Sequence, residues 1–129
     1  MTSILVVDDS ATIRRMVRAA LQSLADTQFM EAETGLEAIE RLAFAPVRLI
    51  VLDLNMPDMH GLEVLRFVRA HAAYRDIPVL VLTTRQDEES RRAALAAGAT
   101  AYVTKPFAPA TLAAEARKLV ERGGVGAGR

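Results

Sequence analysis

Short unbroken apolar runs recur along the chain, each closed by a polar residue. They are Ile4-Leu5-Val6-Val7 before Asp8-Asp9, Leu49-Ile50-Val51-Leu52 before Asp53, and Val79-Leu80-Val81-Leu82 before Thr83-Thr84. Runs of this length, rich in Val, Ile and Leu, predict strands buried on both faces. Phe29 to Glu33 is a weaker strand of mixed polarity that suits a sheet edge, and Thr100 to Thr104 predicts a fifth strand, leaving at Lys105-Pro106. Between the runs apolar residues recur at the spacing of a helix. Ile13, Met16, Val17, Ala20, Leu21 and Leu24 form one apolar stripe, with Arg14, Arg15, Arg18 and Gln22 on the other face. Leu36, Ile39 and Leu42 form a second stripe, and Leu62, Leu65 and Val68 a third.

Local signals punctuate this pattern. Ser10 or Asp9 can cap the first helix. Thr34 and Glu37 have the spacing of a capping box. The acidic turn Asp87-Glu88-Glu89 opens a fourth helix of small residues, with Asp87–Arg91 and Glu88–Arg92 as i,i+4 pairs. Gly98 suits its end, and Pro109 suits the first turn of a last helix carrying Leu112, Ala116, Leu119 and Val120. Strand and helix alternate five times. That alternation predicts an α/β fold with a parallel sheet and helices on both faces. The pattern leaves the strand order open. The first and fifth helices are expected to share a face, and the glycine-rich stretch 123–129 reads as a flexible tail after a domain spanning 1–122.

Composition narrows the functional classes. The 129 residues suit one domain, and 16 basic side chains against 16 acidic ones leave no excess of positive charge for neutralising nucleic-acid phosphates. The chain has no cysteine, which removes disulfides and thiolate metal sites. No apolar run approaches the roughly 20 residues needed to cross a bilayer, and the first residues lack the form of a signal peptide. A cytoplasmic monomer is expected, without nucleic-acid or membrane partners.

In an open parallel sheet, ligands bind beyond the carboxyl ends of the strands. Those ends carry Asp8, Asp9, Asp53, Thr83 and Lys105. Singly, each has a plainer reading: capping for Asp8-Asp9 and Thr83, turn initiation for Asp53, a solvated loop for Lys105. Jointly, they suit phosphoryl chemistry. Three adjacent carboxylates repel unless a cation is present, and an all-oxygen cluster suits Mg²⁺ better than zinc. A lysine and a threonine hydroxyl complete a receptor for phosphoryl oxygens, with Asp53 as the nucleophile.

The segments Val6-Val7-Asp8-Asp9-Ser10, Asp53-Leu54-Asn55-Met56-Pro57-Asp58-Met59-His60-Gly61, Leu82-Thr83-Thr84 and Tyr102-Val103-Thr104-Lys105-Pro106-Phe107 resemble, in order, the motif set of response-regulator receiver domains. With Ser10 to Arg15, they are most similar to the CheY-like, single-domain, chemotaxis-type members. The resemblance implies a doubly wound (βα)5 sheet in the order 2-1-3-4-5. It also implies phosphorylation of Asp53 by a histidine kinase, and Mg²⁺ bound by Asp9, Asp53 and the backbone carbonyl of Asn55, with Asp8 acting through a water. Lys105 would pair with the phosphoryl group. Thr83 and Tyr102 would form the switch that changes the surface of the fourth helix, fifth strand and fifth helix for a downstream protein, such as a flagellar motor switch or another kinase. A cis Lys105-Pro106 bond is implied as well. Thr84 is larger than the alanine or glycine common at its position, and Arg85 and Asn55 are expected to flank the water route to the acyl phosphate.

The resemblance describes a signalling protein rather than an enzyme. A phosphorylation-independent interaction domain would keep the fold but lose a site residue. A sink for phosphoryl groups would keep both fold and site. An aspartate-nucleophile phosphatase would carry Asp-x-Asp on its first strand, whereas Asp8 and Asp9 are adjacent. Neither G-x-G-x-x-G nor a Walker loop is present for nucleotide binding.

Overall fold

The computed structural model describes residues 2–56, 61–84 and 88–127, with side chains to residue 121. The expectations for Pro57 to His60, Arg85 and Asp87 lie outside the described residues. The elements follow in the order β1 (Thr2–Val7), α1 (Ala11–Leu21), β2 (Thr27–Ala32), α2 (Gly35–Phe44), β3 (Leu49–Asp53), α3 (Gly61–Ala70), β4 (Val79–Thr83), α4 (Glu88–Ala96), β5 (Ala101–Thr104) and α5 (Pro109–Ala127). All strand pairings are parallel and the sheet order is β2-β1-β3-β4-β5. This is the doubly wound architecture that the resemblance implied.

Strand alternation divides the core into two layers. Leu5, Val7, Ile50, Leu52, Val79 and Val81 face α2, α3 and α4, where Ala38, Leu42, Val64, Leu65, Val68 and Ala94 meet them. Ile4, Val6, Leu49, Val51, Leu80 and Leu82 face Val17, Ala20 and Leu21 of α1 and Leu112, Ala113, Ala116 and Leu119 of α5. The first and last helices therefore share a face, as their stripes suggested. Every residue of β3 and β4 is buried, as unbroken apolar runs require in the middle of a covered sheet. β2 is an edge strand, and its mixed polarity fits that place.

Two stripe residues depart from their expected burial. Met16 lies at the rim of the α1 stripe and Leu36 on the side of α2 away from Ala38 and Leu42; both are exposed. The small side chain of Ala38, fully buried, lies where α2 meets the sheet. The caps follow the sequence. Ser10 Oγ accepts from the Ile13 N–H, and Thr34 Oγ1 from the Glu37 N–H. Glu37 Oε1 accepts from the Glu33 N–H, one residue before the cap. On α4, Arg91 pairs with Glu88 at i,i+3, while Asp87 is undescribed. The α5 backbone continues helical to Ala127, past the expected boundary at residue 122. Helix propagation gains one hydrogen bond for each residue fixed, so the roughly four preceding turns carry it into a glycine-rich segment of low propensity.

One brace was illegible in the pattern. Arg69, near the end of α3, donates from Nε to the Gly98 carbonyl at 2.9 Å and from Nη1 to the carbonyls of Arg75 and Ile77 at 3.0 and 2.7 Å. Its Nη2 reaches Thr100 Oγ1 at 3.1 Å. The guanidinium thus ties the α3–β4 and α4–β5 connections together. Gly98 makes this approach possible. It has φ of 109°, and a Cβ there would lie 2.6 Å from Arg69 Cγ. The α4 terminus closes around it with Gly98 N–H to Leu95 O and Ala99 N–H to Ala94 O, each 3.0 Å, a Schellman pairing. Arg69→Ala is expected to lower unfolding stability by about 2 kcal/mol, since several carbonyls lose a charged donor. An unchanged urea midpoint would show that the brace carries no weight.

Candidate functional site

The strand order reverses at β1, so the connections leaving β1 and β3 diverge and open a crevice between their carboxyl ends. Asp8 follows β1 and Asp53 ends β3, which places the two carboxylates side by side. Each residue is 1% exposed. Asp9, one residue on, is exposed at the mouth. One carboxylate oxygen from each of the three lies within 4.8 Å of the others. Lys105, delivered by the end of β5, puts Nζ 3.1 Å from Asp8 Oδ2 and 3.2 Å from Asp53 Oδ1. The Lys105 N–H donates to the Thr83 carbonyl at 2.7 Å, which fastens the β5 exit to that of β4. The Lys105-Pro106 bond is cis.

Backbone donors fix the acids. Asp8 Oδ1 accepts from the Ser10 N–H at 2.9 Å, and Asp53 Oδ1 from the Asn55 N–H at 3.2 Å. Gly61 lets α3 start against this strand end. A Cβ there would lie 2.6 Å from both the Asp53 carbonyl oxygen and Leu54 Cα. Thr83 is fully buried at the end of β4. Tyr102 is half-buried on β5, packed beside the core under α2, α3 and α4, some way along the strand from the acids. The structure therefore gathers Asp8, Asp9, Asp53 and Lys105 directly, with Asn55 and Thr83 at the adjoining exits.

The electrostatics are unbalanced. Burial pushes the Asp8 carboxyl above its ordinary value; the Asp53 charge adds to this, while the Ser10 N–H and Lys105 oppose it. Burial acts to lower Lys105, but the Asp53 and Asp8 carboxylates outweigh it and raise the ammonium above its usual value. Three carboxylates against one ammonium leave two negative charges in a crevice of oxygen donors. That is the charge a divalent cation neutralises, and a hard cation such as Mg²⁺ is matched to such donors.

A family model for the response regulator receiver domain matches residues 4–117. The chain belongs to this family. Its curated relatives include the chemotaxis protein CheY1 of Helicobacter pylori, 40% identical over 110 residues that cover 84% of this chain and 89% of the relative. A CheY homolog of Campylobacter jejuni is 41% identical over 110 residues, covering 84% and 85%. Among solved structures, the chemotaxis response regulator CheY4 of Vibrio cholerae superposes with a TM-score of 0.85 at 38% identity, covering 92% of this chain and 98% of that one. Receivers bind Mg²⁺ at an acidic aspartate cluster, and in this receiver Asp8, Asp9 and Asp53 form one. No helix among the described residues is long and apolar enough to cross a membrane.

The sequence reading missed the support beneath the β1 exit. It put Arg14 on the solvent face of α1, yet its side chain is only 13% exposed and folds back onto the site. Its Nη1 donates to the Asp8 carbonyl at 2.6 Å and its Nε to Glu31 Oε1 at 2.7 Å. Helical periodicity marks an arginine as polar but not as folded toward a neighbouring strand.

The raised Asp8 carboxyl gives a pH test of the cluster. The metal-free folded chain binds this proton more readily than the unfolded chain does. Asp8's contribution to stability therefore falls as pH rises from about 3.8 through the raised value. A divalent cation favours the charged form and offsets that loss. With free Mg²⁺ at about 100 times Kd, the gain in unfolding stability at about pH 7 should be ~2.7 kcal/mol. It should shrink as the pH falls through the Asp8 range. Urea unfolding with and without Mg²⁺ measures this, and a gain independent of pH would contradict ionic binding at these acids.

Proposed function

We propose that this receiver is a phosphorylation-activated signalling switch in which Asp53 accepts a phosphoryl group from a histidine kinase. The observation that carries the reading is the Lys105 ammonium bridging two buried carboxylates, one of them at the central strand exit. In the transfer, an Asp53 carboxylate oxygen forms the new O–P bond as the N–P bond of a phosphohistidine breaks. The histidine nitrogen keeps the electron pair. Lys105 then exchanges part of its pairing with Asp53 for a phosphoryl oxygen, which suits a compact point charge. Asp9, Asp53 and the Asn55 carbonyl would hold Mg²⁺, with Asp8 acting through a water. Bound there, the ion supplies charge neutralisation and orientation for the incoming phosphoryl oxygens.

The output follows from the neighbours of the site. Thr83 lies at the end of β4, and its carbonyl is tied to Lys105, so a shift of either residue reaches β5. Thr83 and Tyr102 are the proposed switch pair, acting on the surface formed by α4, β5 and α5. Similarity to chemotaxis regulators supports a cytoplasmic, chemotaxis-type role, with a downstream protein recognising that surface on a monomeric receiver.

The acceptor assignment is checked with a small phosphodonor. Incubation with acetyl phosphate and Mg²⁺ should add one phosphoryl group to the intact mass of the wild-type chain, and chelation of the metal should prevent it. Asp53→Asn should take up none. A phosphoryl adduct that persists in Asp53→Asn overturns the assignment.

A further inference from the structure

We infer that Arg14 is a positioning residue for the Asp8–Asp9 peptide and thereby sets how well the carboxylate cluster holds a divalent cation. This rests on the reading of the cluster as the Mg²⁺ site of a phosphoryl acceptor. Asp8 carries two duties at once. Its side chain is committed to the Ser10 N–H and Lys105, and its backbone leads into Asp9, the exposed acid of the cluster. The Asp8 N–H donates to the Ala32 carbonyl at 3.1 Å, the last rung between β1 and β2. Beyond that rung no strand among the described residues donates to the Asp8 carbonyl. Arg14 Nη1 does, at 2.6 Å.

That carbonyl belongs to the peptide plane whose nitrogen is Asp9's. Holding it fixes the plane and therefore the direction in which Cα of Asp9 presents its carboxylate. Arg14 is itself held. Its Nε donates to Glu31 Oε1 at 2.7 Å, and Glu31 sits on β2. The Glu31 carbonyl in turn accepts from Arg41 Nε of α2 at 3.2 Å. Arg18 Nε lies 3.2 Å from Glu31 Oε2 without hydrogen-bond alignment, so it joins the cluster of charges but not the chain of donors. The path to the Asp8 carbonyl runs through Arg14. A planar guanidinium presents Nε and Nη1 in fixed directions, one toward Glu31 and the other toward the carbonyl; a lysine ammonium lacks that fork.

The sign of the effect separates positioning from charge. Removing a nearby cation by Coulomb's law alone should strengthen Mg²⁺ binding to the carboxylates. Loss of positioning should weaken it, and partners that orient metal ligands typically cost 10–100-fold in affinity when removed. Calorimetric Mg²⁺ titration is expected to show affinity reduced about tenfold or more in Arg14→Ala and in Arg14→Lys, which keeps the charge. Arg18→Ala, which touches Glu31 but not the Asp8 carbonyl, should bind as wild type does. In the metal-free proteins, amide hydrogen exchange at Asp9 and Ser10 should quicken in both Arg14 variants and not in Arg18→Ala. If Arg14→Ala fails to fold by circular dichroism, Arg14→Lys carries the test. Unchanged or tighter Mg²⁺ binding in the folded Arg14 variants overturns the inference and leaves the site reading standing, as does an equal loss in Arg18→Ala. A wild-type chain that binds no Mg²⁺ overturns both.

Discussion

The structure turns on buried negative charge that one lysine only half compensates. Asp8 and Asp53 are removed from water at adjacent strand ends, and Lys105 Nζ sits between them at 3.1 and 3.2 Å. Such an arrangement costs stability in itself, because taking charges out of water is expensive even when they are paired. It persists because the acids are fastened by backbone donors and because the sheet order allows them no other place. The residual negative charge is of the kind a hard divalent cation neutralises.

The topology turns distant residues into neighbours. Ninety-seven positions separate Lys105 from Asp8 along the chain, yet their side chains form a hydrogen bond. Parallel strands with right-handed crossovers send every strand exit to the same edge, and the reversal of order at β1 leaves a crevice there. Both faces of the central strands are covered by helices, which keeps water away from Asp8, Asp53 and Thr83 and makes their charges and dipoles count.

Around this centre the scaffold relies on arginine forks and close-approach glycines. Arg14 secures the β1 exit through Glu31, and Arg69 secures the opposite end of the sheet by collecting carbonyls from two connections. Gly61 and Gly98 are the complements of those contacts. A side chain at the first would press into the backbone of Asp53 and Leu54, and one at the second into Arg69. With fourteen arginines and only two lysines, the chain uses the planar cation for bracing at Arg14 and Arg69 and places the compact ammonium of Lys105 between the two buried acids.

By itself the sequence determined the strand and helix alternation, the buried character of β3 and β4, the caps at Ser10 and Thr34, and the acids at the strand exits. Each of these is a local property, written in unbroken apolar runs, in a helical period of 3.6 and in turn chemistry. The motif resemblance added the strand order, which the alternation alone left open. Only the tertiary structure decided that Asp8 and Asp53 share one ammonium, that Leu36 and Met16 face solvent, and that Arg14 and Arg69 fold inward onto carbonyls. Those outcomes depend on which elements meet across the sheet. A long polar side chain carries no periodic signal of its partner, because its reach exceeds the spacing of the residues that place it.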